Sequence, residues 1–367
     1  MVARCARWLG FVVACGLLPA LAGCSGDAGA NQGDVGSVDA PLTRSDVTFD
    51  VTVRGSGKAT IHASVYVNDN ARGLTTLLAV HGLSETGFTF APLAQTMFGD
   101  RQIGRSIRRL VAIDLPGHGD STFPTGLPAG VNFGELTIED NVSVVLQSID
   151  ALRARRLAPQ IIIGHSMGGL EVQAAQQSLL SQGSSLAAHG IFGAVLLAPV
   201  PPHGRPWSPT VGDASAFIVN DPTLGTYLSL TPDAFVPQAF TTRSGQVATD
   251  APTPAEVAAG RYVGPEPLVT LLQLIESPIP QPDETTVTIP RPSVDASAFA
   301  LRHGTIATVV SFSEDILVPA DDLAQLYPYL TGDQRDVLYR PVTAPDAVHA
   351  MYISNPAAVV DALRPML

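Results

Sequence analysis

Lysine is almost missing from this chain: among the 21 basic side chains in 367 residues, only Lys58 is a lysine. Acids outnumber bases by 33 to 21, giving a formal net charge of −12. That balance argues against nucleic acid as a partner, because phosphate binding needs clustered Lys and Arg. Cysteine is equally scarce. Cys5, Cys15 and Cys24 all fall in the first 24 residues, and the rest of the chain has none. No disulfide can tie the main body together, so its apolar core must hold it. Charged residues make up 15% against 46% hydrophobic, the balance of a globular chain and not of a disordered one. Metal-ligand spacing is also missing. His62, His189, His203 and His303 have no partner at such intervals, so no metal is expected. The glycines of "GHSMGG" and "PGHGDS" are not followed by Lys-Ser/Thr, which rules out a phosphate loop; no cofactor is expected. There is no internal repeat.

What the chain does have begins at its N-terminus. "MVARCAR" carries Arg4 and Arg7, and "WLGFVVACGLLPALAG" is apolar but short and interrupted for a membrane span. It runs into "LAGC", Leu21 to Cys24, which resembles a bacterial lipoprotein signal with Cys24 as the lipidated residue. The plainer reading is an ordinary secretory peptide cleaved nearby, with Cys24 incidental. On the lipoprotein reading residues 1–23 are removed, and residues 24–45, rich in Gly, Ala, Ser and Asp, form a flexible tether. The protein is then a lipid-anchored component of the cell envelope, with a lean toward the outer membrane because Ser25 is not a retention Asp. Secretion is the alternative.

After the tether, "DVTFDVTVRGSGKATIHASVYVND" alternates apolar and polar residues about a Gly-rich turn, the pattern of an antiparallel hairpin. Short buried strands follow: "LTTLLAV", "IRRLVAIDL", "PQIIIG", "GIFGAVLLAP", "TIATVVSF" and "RDVLYRPV". Helical periodicity lies between several of them. The clearest case, "TIEDNVSVVLQSIDALRARRL", opens on Thr137 and Asp140 as a capping pair. The last helix begins at Asn355 with Pro356 in its first position. This alternation predicts an α/β fold, a mostly parallel sheet with helices on both faces, over 46–200 and 301–367. Residues 201–300 break the rhythm and hold 16 of the 30 prolines, so they read as an inserted cap.

The chemistry concentrates where strands end. "GHSMG" fits G-x-S-x-G after a buried strand and before a helical run, the context of a nucleophile elbow at Ser166. A serine hydroxyl is a weak nucleophile at neutral pH. It needs a base to take its proton, and the base needs a carboxylate to fix its tautomer.

On these motifs the chain resembles the α/β-hydrolases, with the cap falling outside the resemblance. The family order of serine, acid, histidine then implies Asp315 in "SEDILVP", with Glu314 as the other choice, and His349 in "DAVHAMYISNP". It also implies an oxyanion hole from the backbone N–H groups of Met167 and of Leu83 in "HGLSE". His81, Gly82 and His165 stand close enough in sequence to touch substrate, although shaping the elbow is the plainer role for His165. Asp114 and His118 in "DLPGHGDS" are expected to bind backbone.

The resemblance implies an esterase- or lipase-like serine hydrolase acting on a small-molecule or lipid ester. Other chemistry with the same triad (perhydrolysis, C–C bond hydrolysis, a lyase reaction) is the alternative. A silent binding protein is a third reading. Nothing in the sequence points to an oligomeric state.

Overall fold

The computed structural model describes residues 42–365 apart from 211, 213, 281–284 and 333–337. The signal segment and Cys24 lie outside the described residues. The period-two pattern about "RGSGK" forms β1 (Thr43–Val53) and β2 (Gly57–Val67), paired antiparallel from Thr43–Val67 to Val53–Gly57. Phe49, Val51 and Val53 point into the core while Thr48, Asp50 and Thr52 face out. The ladder begins ahead of the expected boundary at 46, because Thr43, Arg44 and Ser45 pair with Val67, Tyr66 and Val65.

Six further strands complete an eight-stranded sheet: β3 (Thr75–Val80), β4 (Ile107–Ile113), β5 (Ile161–His165), β6 (Gly193–Leu197), β7 (Ile306–Phe312) and β8 (Leu338–Val342). Their order is β1-β2-β4-β3-β5-β6-β7-β8. The hairpin joins through an antiparallel β2–β4 pair, and every pairing from β4 to β8 is parallel. Every residue of β6 is buried, as a strand covered on both faces requires. α2 (Ile138–Ala154) and α3 (Met167–Ser181) pack together, and so do α1 (Ala91–Gly99) and α5 (Pro356–Leu363), with α4 (Ala320–Thr331) against β7. Thr137 and Asp140 form the expected capping box, and Asn355 caps α5 by accepting from the Ala358 N–H.

The chain moves from β3 outward to β4, then returns to place β5 on the other side of β3. The carboxyl ends of β3 and β5 therefore flank the point where strand order reverses, the place in such a sheet where a crevice opens.

The 201–300 region is more regular than the sequence suggests. It holds a three-stranded antiparallel sheet (Ile218–Asp221, Gly225–Ser229, Pro265–Pro267) and helices at Pro232–Phe240, Pro254–Gly260 and Leu268–Leu274. Two of its prolines, Pro232 and Pro254, sit at the first position of a helix behind the capping threonines Thr231 and Thr253. These prolines start helices. The cap is fastened to the segment before α2: the Gly134 N–H donates to Leu224 O, and Thr270 Oγ1 donates to Leu136 O.

Asp114 follows β4 and is buried. Its Oδ1 accepts from the Gly87 N–H at 2.7 Å, and its Oδ2 accepts from the Asp120 N–H at 3.0 Å and meets His62 Nδ1 at 2.7 Å. Burial pulls the His62 pKa down, but Asp114 and then Asp46 outweigh it and hold it above the usual 6.5. The histidine's contribution is therefore full below its unfolded pKa and fades as pH rises through the folded value. Asp114→Ala should destabilise the protein by about 2–4 kcal/mol in denaturant titration, since it strands buried donors. The loss should be larger at about pH 5.5 than at about pH 8.5; the opposite trend would contradict the assignment.

Candidate active site

Ser166 stands between the last residue of β5 and the first of α3, with φ 52° and ψ −117°. Positive φ is costly for a residue with a side chain, and persists only when the surroundings impose it. They do so here. The Ser166 N–H donates to Leu197 O, and its carbonyl accepts from the Val200 N–H at 3.0 Å. A β-carbon at Gly164 would stand 2.4 Å from Gly168 O, and one at Gly168 would stand 2.5 Å from both His81 O and Val80 O. Two strand ends and a helix start converge too tightly for side chains, and the serine is the residue thrown forward.

His349 and Asp315 meet beside it. His349 Nδ1 lies 2.8 Å from Asp315 Oδ2, and Asp315 Oδ1 accepts from the N–H groups of Leu317 and Val318 at 2.8 Å each. Those two backbone donors hold the carboxylate after β7, and the other oxygen turns the imidazole so that Nε2 is free. Glu314, the other choice of acid, instead accepts from the Arg243 N–H. Ser166 and His349 line one cavity. Ser166 Oγ has no hydrogen-bond partner among the described residues, so the serine–histidine bond is not formed in this structure.

The N–H groups of Leu83 and Met167 have no partner either. Met167 opens α3, where the first amides lie beyond the reach of helical carbonyls and carry the positive end of the dipole. The Leu83 loop is held from the cap. The next residue, Ser84, has φ 56°; its N–H donates to Glu266 Oε2 at 2.9 Å and its carbonyl accepts from the Gly264 N–H.

Sequence reasoning missed Glu85. Its Oε2 accepts from the Gly82 N–H at 2.7 Å and the Tyr352 hydroxyl at 3.0 Å, and lies 3.0 Å from His165 Nδ1. Burial pushes this carboxyl up, yet the charge and hydrogen bond of His165, with the Gly82 bond, bring it down to about 2. The signal was present, because an acid three residues after "HG" in a loop leaving a buried strand has to be paired or exposed.

His81, Gly82 and His165 do not line the cavity. Both ring nitrogens of His81 are engaged: Nδ1 with Gly82 O, and Nε2 as acceptor from the Leu115 N–H. Burial first, and then His118, lower its pKa to about 4, in keeping with a neutral ring. His165 bridges Glu85 and the His349 carbonyl, and so supports the histidine loop from behind. His118 binds Pro116 O as expected, but it also meets Glu266 of the cap at 3.3 Å. Among the described residues no group of three or more His, Cys, Asp or Glu forms a metal site.

The cavity that reaches Ser166 has a volume of about 90 Å³, and apolar side chains such as Val200, Leu228, Phe235 and Leu271 dominate its wall. A model of the alpha/beta hydrolase family matches residues 77–362. Similar solved structures include a thermophilic esterase from Thermogutta terrifontis, 14% identical over 87% of this chain and 97% of that one, with a TM-score of 0.51. Another is an esterase from Rhodococcus sp. ECU1013, 16% identical over 87% and 97%, with a TM-score of 0.50. At such identities the likeness is one of fold. No curated protein matches the chain.

Burial pulls the His349 pKa down, but the charge and hydrogen bond of Asp315, with the charge of Glu85, raise it above the usual 6.5. A base must be neutral to accept a proton, so turnover should fall as pH drops through that raised value. A pH profile of kcat/KM should show an acid limb above pH 6.5. Asp315→Asn should lower kcat by about ten-thousand-fold. A limb well below that pH would remove His349 from the role of base.

Proposed function

This chain belongs to the alpha/beta hydrolase family, and from that premise we propose that it is a serine hydrolase cleaving carboxylic esters through an acyl-enzyme on Ser166. The observation that carries the reading is the elbow: a serine forced to positive φ ahead of a helix start, facing one cavity with His349, which is itself held by Asp315.

In this mechanism Ser166 Oγ attacks the acyl carbon as His349 Nε2 takes its proton, and Asp315 stabilises the resulting imidazolium. The free N–H groups of Leu83 and Met167 receive the oxyanion, each worth about 2.7–4 kcal/mol to the transition state. The imidazolium then protonates the departing alcohol. Water attacks the acyl-enzyme with His349 again as base, which releases the acid and restores the serine. The unformed serine–histidine bond fits a free enzyme, in which such contacts tighten only once substrate is bound.

The apolar wall suits a hydrocarbon acyl group. A fluorophosphonate should label Ser166 and give no adduct in Ser166→Ala. Lack of any adduct in the wild type would leave the silent binding protein as the better reading. With p-nitrophenyl esters, kcat/KM should be higher for a hydrocarbon acyl chain than for one of equal length that ends in a charge, as the apolar wall requires.

The "LAGC" sequence supports placing this activity on the cell envelope through a lipid on Cys24. Labelled palmitate should enter the wild-type chain in cells and be absent from Cys24→Ser; equal labelling of both would exclude the anchor.

A further inference from the structure

Glu85 is an odd residue to find on the wall of an apolar acyl cavity. Among the described residues, the other hydrogen-bonding side chains along that wall are those of Ser166, His349, Trp207 and Gln238. Its two oxygens are treated unequally. Oε2 is surrounded by Gly82 N–H, Tyr352 O–H and His165 Nδ1, whereas Oε1 has no partner among the described residues. Oε1 is not among the fully enclosed unpartnered atoms, so it keeps accessible surface, and Glu85 lines the cavity, from which a donor can reach it. The group also stands close to the reacting centre. A β-carbon built on Gly82 would lie 3.0 Å from both Glu85 Oε2 and Ser166 Cβ, so carboxylate and nucleophile flank a single backbone position. Three fixed donors hold this carboxylate in place before any substrate arrives, as a recognition group requires.

We propose that Glu85 is a specificity residue whose open Oε1 selects esters with a hydrogen-bond donor on the acyl group beside the scissile carbonyl, as in a 2-hydroxyacyl ester. This rests on the reading of Ser166 as the nucleophile. A site built to bond a substrate hydroxyl discriminates strongly against the analogue that lacks it, because the buried partner is then left unpaired. An acyl carboxylate in the same place sets two acceptors face to face and is disfavoured. If Glu85 served only to brace His165 and Tyr352, the enzyme would be indifferent to such a donor.

The test compares p-nitrophenyl butyrate, 2-hydroxybutyrate and hemisuccinate, each rate normalised to its hydroxide-catalysed reaction. The wild-type enzyme should favour the hydroxy ester over butyrate by about tenfold or more in kcat/KM, with hemisuccinate slowest. In Glu85→Gln the three donors should retain the amide oxygen and turn the NH2 toward the cavity. The preference for the hydroxy ester should then disappear, and hemisuccinate should gain on butyrate. Equal wild-type rates on butyrate and hydroxybutyrate would overturn the proposal whether or not the variant folds. So would a folded, phosphonate-labelled Glu85→Gln enzyme that keeps the wild-type preference. A wild-type enzyme that takes neither ester nor a phosphonate on Ser166 would sink the hydrolase reading itself, which separates the two failures.

Discussion

The backbone strain at Ser166 is the constraint around which the rest of the molecule is arranged. A serine at φ 52° cannot be stable alone, so the neighbouring chain must over-determine it. β6 supplies a carbonyl for its N–H, and the residues after β6 supply an N–H for its carbonyl. Gly164 and Gly168 permit the close crossing of β3, β5 and α3, which no side chain could enter. Leu83 and Met167 follow the ends of the neighbouring strands β3 and β5. Strand order, glycine placement and the free donors follow from one turn.

A second pattern is the pairing of buried acids with histidine. With only one lysine in the chain, four of its buried carboxylates are met by imidazoles: Asp114 by His62 at 2.7 Å, Glu85 by His165 at 3.0 Å, Glu266 by His118 at 3.3 Å and Asp315 by His349 at 2.8 Å. Glu171 is the contrast. It is fully buried with Asn141 as its partner, and burial drives its pKa well above the ordinary value. Glu85 beside His165 is held low, whereas Glu171, with no histidine beside it, is pushed high. Unlike lysine, histidine gives up its positive charge near neutral pH, so the charge balance of the interior depends on pH.

Much of this was legible in the residues. The period-two hairpin, the continuous apolar runs of β3 and β6 and the capping signals at Thr137 and Asn355 are local signatures, and local signatures survive folding. Ser166 and Asp315 each follow a recognisable buried run, but His349 lies well past β8, an edge strand that is half-buried to exposed rather than the buried run expected there, and only the family order pointed to it. The cap was harder. Its strands are short and its prolines resemble loop markers, although Pro232 and Pro254 behind threonines were helix starts in plain view. Glu85 could be singled out as an acid in need of a partner, but one of its partners, Tyr352, lies 267 positions away. No local pattern encodes such a pairing.

The cap emerges as more than a wall for the acyl cavity. Glu266 binds the Ser84 N–H, Gly264 binds the Ser84 carbonyl, Val263 bridges Glu85, and the Thr86 hydroxyl reaches Arg261 O. Three successive residues after Leu83, namely Ser84, Glu85 and Thr86, are thus fixed by a single stretch of cap. Ser84, like Ser166, sits at positive φ, so this loop is held against its intrinsic preference. Any movement of residues 261–266 must therefore shift the Leu83 donor and the Glu85 carboxylate together. This stretch and the loop after β3 form one hydrogen-bonded unit beside the cavity at Ser166.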